Sequence, residues 1–105
     1  MKIIEKLSDM IEEEMSDAEK YIRCAMENKD EFPTLAEAFY RLSVEEMQHM
    51  AILHEQVTQL INDYQKKNGD PPPEMMTLYN YLHKRHIDRA TEIKNKQMIY
   101  KNPSK

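Results

Sequence analysis

Residues that favour turns and irregular structure are scarce in this sequence. One glycine and no tryptophan occur among 105 residues, and the five prolines leave long stretches without a helix breaker. A turn-rich β fold needs glycine and proline at many positions, so this composition argues against such folds. The sequence predicts a single all-α domain over residues 1–105.

Long apolar runs and paired cysteines are also lacking. Charged residues interrupt the apolar ones near the N-terminus, and no window of the sequence reaches the length of a membrane span. Cys24 is the one cysteine, so it cannot form an internal disulfide or a zinc-binding cysteine set. We therefore expect a cytoplasmic protein without a membrane partner, in which Cys24 is a small buried or half-buried residue.

Charge is distributed unevenly along the chain. Residues 1–70 carry eight Lys and Arg against 16 Asp and Glu, whereas residues 71–105 carry seven against three. The two sections are expected to attract each other, within one subunit or between subunits. Because the basic section has no groove-reading motif and the whole chain is acidic, we expect no nucleic-acid partner.

Three long amphipathic helices are predicted from the spacing of apolar residues, over residues 3–28, 34–67 and 74–100. At 1.5 Å per residue they would be about 40 to 50 Å long, which is typical of antiparallel rods in a bundle. Hydrophobic residues make up 40% of the chain and charged residues 32%. So small a core favours oligomerisation.

The two breaks between these helices have different signals. Before the second helix, Thr34 and Glu37 have the spacing of a capping box. Before the third helix, Gly69 can end the preceding helix, and three successive prolines predict an extended connector.

Polar residues interrupt the predicted inward stripe of each helix. Glu46 and His49 are three residues apart on the second helix, between apolar residues assigned to the same stripe. Burial of both groups without compensation is costly, and Glu-x-x-His on an inward helix face is how helical bundles hold iron or manganese. The predicted stripes of the first and third helices are Leu7, Ile11, Glu14, Ala18, Tyr21 and Ala25, and Met75, Tyr79, Leu82, His86, Ala90 and Ile93.

Two segments of the sequence resemble the ferritin-like superfamily, especially bacterioferritin and rubrerythrin. The segment from Glu14 to Tyr21 is similar to that family's first-helix Glu followed by Tyr seven residues later. The segment from Ser43 to His49 is similar to its second-helix Glu-x-x-His. The resemblance implies that Glu14 is a terminal metal ligand, Glu46 a bridging ligand and His49 a nitrogen ligand, with Tyr21 close by.

The chain departs from that family in its second half. A complete member supplies another Glu on helix three and a second Glu-x-x-His on helix four, whereas this sequence has His83 and His86 on its third helix. In one solution, two subunits pair their first two helices around a two-fold axis, as short encapsulated ferritins of this superfamily do, and complete a four-helix bundle. In the other, His86, with or without His83, replaces the missing Glu. We prefer the first.

The resemblance implies iron, most readily a di-iron pair, with manganese or zinc as alternatives. If the protein is an enzyme, it would be a ferroxidase that oxidises Fe(II) with O₂ or peroxide, in iron storage or oxidative-stress defence. The implied partner is a second copy of the chain, as a homodimer or higher homo-oligomer. No extension that would dock into an encapsulin shell is recognised.

Simpler interpretations stand beside this one. Glu14 belongs to a run of three acidic residues that is typical of a solvated helix face. His86 is a candidate for a satisfied buried histidine or a partner of Glu14, and His54 and His83 are expected at the surface or boundary. The alternative function is therefore a helical interaction or scaffold protein with a degenerate, metal-free ferritin-like site.

Overall fold

The chain folds into three helices and contains no strand within residues 2–103, which are the residues that the computed structural model describes. Helix α1 spans Lys2–Asn28, α2 spans Pro33–Asn68 and α3 spans Pro73–Lys101. The prediction of an all-α fold with three long helices is confirmed. The molecule is elongated, with principal extents of 56 × 21 × 16 Å.

Helices α1 and α2 form the main packing interface, and α3 is attached chiefly to α1. The helical spacing of small and aliphatic residues on α1 lets α2 approach closely. The buried side chains of α1 are Ile4, Ser8, Ile11, Met15, Ala18, Ile22 and Ala25. Those of α2 are Ala36, Ser43, Met47, Met50, Val57 and Ile61. Those of α3 are His86, Ala90, Ile93 and Tyr100.

Of the two connectors between helices, one has the helix end that the sequence predicts and the other does not. Gly69 caps α2 with φ 77° and donates its N–H to Gln65 O at 2.9 Å, as its freedom to adopt positive φ predicts. The predicted capping box is wrong, because α2 begins at Pro33 and its N-terminus has no side-chain cap. Glu37 instead accepts hydrogen bonds from the Tyr100 hydroxyl at 3.2 Å and Lys101 Nζ at 3.0 Å.

Basic residues of α3 form ion pairs with acidic residues of α1 within one chain. Arg85 lies 3.3 Å from Glu12, and Arg89 and Lys96 lie 3.9 and 3.7 Å from Glu19. These pairs hold the basic α3 along one side of the acidic α1. They also leave the opposite side of α1 without a covering helix.

Candidate metal centre

A buried serine sets the register that brings the candidate ligands together. Ser43 Oγ on α2 donates to Ala18 O on α1 at 2.7 Å and accepts from Gln97 Nε2 on α3 at 2.9 Å. Glu14 is four residues before Ala18, and Glu46 is three residues after Ser43. One helical turn from this contact, the two carboxylates therefore face each other.

Glu14, Glu46 and His49 converge as the sequence predicted. Each offers a ligand atom, and these atoms all lie within 4.8 Å of one another. His49 Nδ1 is 3.5 Å from Glu14 Oε2 and 3.8 Å from Glu46 Oε1. Within residues 2–103 this is the one group of three or more His, Cys, Asp or Glu side chains close enough to hold a metal ion together.

The two carboxylates have too little positive charge around them to balance their negative charge. The pKa of Glu46 is raised to about 7, first by a hydrogen bond with Glu14, then by burial and by the negative charge of Glu14. His49 opposes this shift. Glu14 Oε2 is inaccessible to solvent and has no hydrogen-bond partner among the described residues. A buried carboxylate oxygen without a partner is costly, and a cation in this position would relieve that cost.

The predicted inward placement is wrong for His49, whose side chain is 56% exposed, whereas the side chain of Glu46 is at the boundary and 18% exposed. The core stripe of α2 contains Met47 and Met50, so the two candidate ligands lie on the flank of the α1–α2 interface. Leu42, four residues before Glu46, is also exposed.

This flank is the side of the helix pair that α3 leaves uncovered. Glu12 faces Arg85 of α3, and Glu14, two residues later, projects about 200° away around the helix axis. Large exposed apolar residues continue the same flank on both sides of the ligands. We call this the open face and define it by Ile3, Met10 and Glu14 of α1 and by Leu35, Leu42, Glu46 and His49 of α2.

His86 is outside the group of three ligands, and Tyr21 packs against another aromatic residue. His86 is buried, but its nearest carboxylate is Glu12, with Nε2 3.9 Å from Oε1, rather than Glu14. It is not the satisfied histidine that the simpler interpretation expects, because its Nε2 has no hydrogen-bond partner within the described chain. Tyr21 stacks on Phe39, with ring centroids 6.2 Å apart.

Two histidines that the sequence placed at the surface or boundary are half-buried and form a pair. His54 Nε2 and His83 Nδ1 are 2.7 Å apart and share a hydrogen bond, and their rings stack with centroids 4.7 Å apart. No local pattern marked this contact, since the two residues are on different helices. The signal available was that His83 and His86 have the i, i+3 spacing of one helix face.

Comparison of the chain with family models, with curated proteins and with solved structures finds no match. No helix within residues 2–103 is long and apolar enough to cross a membrane. The candidate function therefore depends on the chemistry of Glu14, Glu46 and His49 and on the open face that surrounds them.

Proposed function

We propose that this chain is a ferritin-like iron-binding protein whose metal centre is completed at a dimer interface. The main observation that supports this proposal is the group of two carboxylates and one imidazole whose ligand atoms lie within 4.8 Å of one another, on a face that α3 does not cover. Iron and manganese accept this mixture of oxygen and nitrogen donors, and zinc can also bind it. The buried, unpartnered oxygen of Glu14 fits a cation in this position.

A second subunit, related to the first by a two-fold axis through the open face, would supply the other ligands of a di-iron centre. Two copies of Glu14, Glu46 and His49 give four carboxylates and two imidazoles, which is the donor inventory of a di-iron helical bundle. Antiparallel helices α1 and α2 would pair with the same helices of the second subunit. A symmetric interface provides both halves of the inventory without a fourth helix in the chain.

The composition of the open face supports self-association. Exposed Met10 and Leu42 are each four residues from a ligand, so their burial would accompany the closure of the site. Apolar surface around a central polar group is typical of an interaction face. Burial of this surface would enlarge the small core of the single chain.

The residues of the centre have distinct roles in this proposal. Glu46 would bridge the two ions, as the family resemblance implies, and would release its proton as they bind because its pKa is about 7. Glu14 and His49 would each be terminal ligands to one ion. Bound iron would supply the electrons for reducing O₂ or peroxide, in iron storage or in defence against oxidative stress.

A second candidate function rests on the position of His49. Its Nδ1 lies within 4 Å of both carboxylates, so a protonated imidazole would balance part of their charge without a metal. The chain would then be a helical interaction or scaffold protein with a partly exposed ion-pair network in place of a metal centre.

Elemental analysis together with the mass of the protein in solution distinguishes the two functions. The di-iron proposal requires about one iron per subunit in a dimer or a multiple of dimers, after anaerobic loading with Fe(II). Protein that stays metal-free at saturating Fe(II) would contradict the proposal and support the scaffold. Loading with Mn(II) and Zn(II) in parallel measures the preference of the site.

A further inference from the structure

We infer that the chain has a second cation site, formed by the paired imidazoles of His54 and His83, which takes a divalent ion that favours nitrogen, such as Zn²⁺. The site is at the contact between α2 and α3 and shares no residue with the proposed iron centre. His49 and His54 are five positions apart in the sequence, which places their side chains about 140° apart around α2.

The pair of imidazoles is the core of this site. His54 Nε2 and His83 Nδ1 are 2.7 Å apart, so they hold one proton between them. Two nitrogens bound to a tetrahedral Zn²⁺ at 2.0–2.1 Å are separated by about 3.4 Å. Opening of the pair by less than about 1 Å would let one ion lie between the two nitrogens. The shared proton would pass through solvent to the second nitrogen of the same ring, so that each ring stays neutral and offers a lone pair to the ion.

The third histidine is buried beside this pair. His86 is 3% exposed, and its Nε2 has no hydrogen-bond partner in the described chain. All three histidines line one small, partly open space with a volume of about 10 Å³, close to the minimum for a single water molecule. His86 lines this space without being a ligand, because its nitrogens are not grouped with those of the pair at ligand distances.

The donor atoms of the pair determine which ions it favours. Imidazole nitrogens without carboxylate ligands favour zinc, copper or nickel over manganese or magnesium. An ion here would join α2 to α3, which is the sparsest helix contact in the fold.

The four histidines of the chain provide a matched set of variants. We expect Zn²⁺ to raise the melting temperature of the wild type and of His49→Gln. When His54→Gln or His83→Gln is added to His49→Gln, which disables the iron centre, we expect Zn²⁺ affinity, measured by calorimetry, to fall by more than the ~10- to 100-fold typical of losses around a metal's ligands. Glutamine retains a hydrogen-bonding group, and circular dichroism verifies that each variant remains helical.

Two further measurements complete the test. In His49→Gln, Co²⁺ should give the intense ligand-field spectrum of a tetrahedral site with nitrogen ligands, and this spectrum should be absent when His54→Gln is added. Unchanged Zn²⁺ affinity in both double variants, or its loss in His49→Gln alone, would overturn the inference.

Discussion

Helix α2 presents histidine in opposite surroundings on its two flanks. On the open face, His49 is exposed and lies between the carboxylates of Glu14 and Glu46. On the flank toward α3, His54 is partly buried and contacts a second imidazole, His83. One flank therefore has an excess of negative charge, and the other brings two imidazole rings into contact.

The difference shows how neighbours set the chemistry of a residue type. Crowded carboxylates raise the pKa of Glu46, so this group needs a cation or a proton. Burial and the neighbouring His83 lower the pKa of His54, so this ring stays neutral and keeps a lone pair free. The oxygen-rich flank suits iron or manganese, whereas the nitrogen-rich flank suits zinc, copper or nickel.

The largest expected effect is a loss of iron affinity when a carboxylate of the oxygen-rich flank is removed. Glu46→Ala should reduce Fe(II) affinity by more than ~100-fold, because a bridging carboxylate binds both ions and screens their repulsion. Anaerobic calorimetry with Fe(II) measures this loss. Glu45→Ala, which removes the adjacent exposed carboxylate, is the matched control and should bind iron normally. Full iron stoichiometry in Glu46→Ala would exclude this residue from the centre.

A second test links the metal to assembly. If iron binds only the dimer, Fe(II) should tighten the monomer–dimer equilibrium and a chelator should loosen it. Analytical ultracentrifugation should show no metal response in Glu14→Ala, whereas Glu13→Ala, an exposed neighbour, should respond like the wild type. A monomer that takes up two irons and is insensitive to dilution would contradict the shared centre.

The variant His86→Ala tests whether iron binding on one flank is independent of the histidines on the other. Iron stoichiometry should be unchanged, because His86 lies beside Glu12 and outside the ligand group. The free energy of unfolding without metal should fall by at most about 2 kcal/mol, since the variant loses packing but also removes a buried nitrogen without a hydrogen bond. Urea titration measures this change. A drop in iron affinity equal to that of His49→Ala would favour His86 as an iron ligand.

The smallest expected effect is on the pH dependence of stability in the metal-free protein. The folded pKa values of His54 and His86 lie below 6.5, so the unfolded chain binds protons that the folded chain excludes, and stability falls as pH drops through 6.5. The folded pKa of Glu46 is about 7 against 4.5 for a free Glu, so its contribution falls as pH rises between these values.

Between about pH 4.5 and 6.5, the contributions of the two flanks to stability therefore change in opposite directions with pH. Glu46→Gln should make the loss of stability on acidification steeper, and His54→Gln should make it shallower. Urea titrations at several pH values provide the slopes. Equal slopes in the wild type and both variants would show that neither group has a shifted pKa in the folded chain.

Much of the fold could be predicted from the sequence because its signals are local. Apolar periodicity located all three helices to within one residue or so, and Gly69 marked the end of α2 through its freedom to adopt positive φ. The capping box failed because Pro33, already suited to the first helical turn, begins α2 one residue before Thr34.

The candidate iron ligands were predictable in identity but not in placement. Glu-x-x-His spacing and the acidic residue on α1 identified Glu14, Glu46 and His49 as a group. Their exposure was not predictable, because neighbouring stripes on a long helix differ by a rotation of a few tens of degrees. Whether a stripe is inside depends on which side the next helix covers.

The sequence by itself determined the helices, their lengths, the charge asymmetry and the residue types of the candidate iron centre, since each follows from neighbours along the chain. The tertiary structure decided that α3 covers Glu12 and leaves Glu14 on the open face, and that His54 meets His83. These outcomes depend on the rotation and register of helices joined by short connectors. Contacts such as that of Ser43 with Ala18, 25 residues apart, fix that register, and no local pattern encodes it.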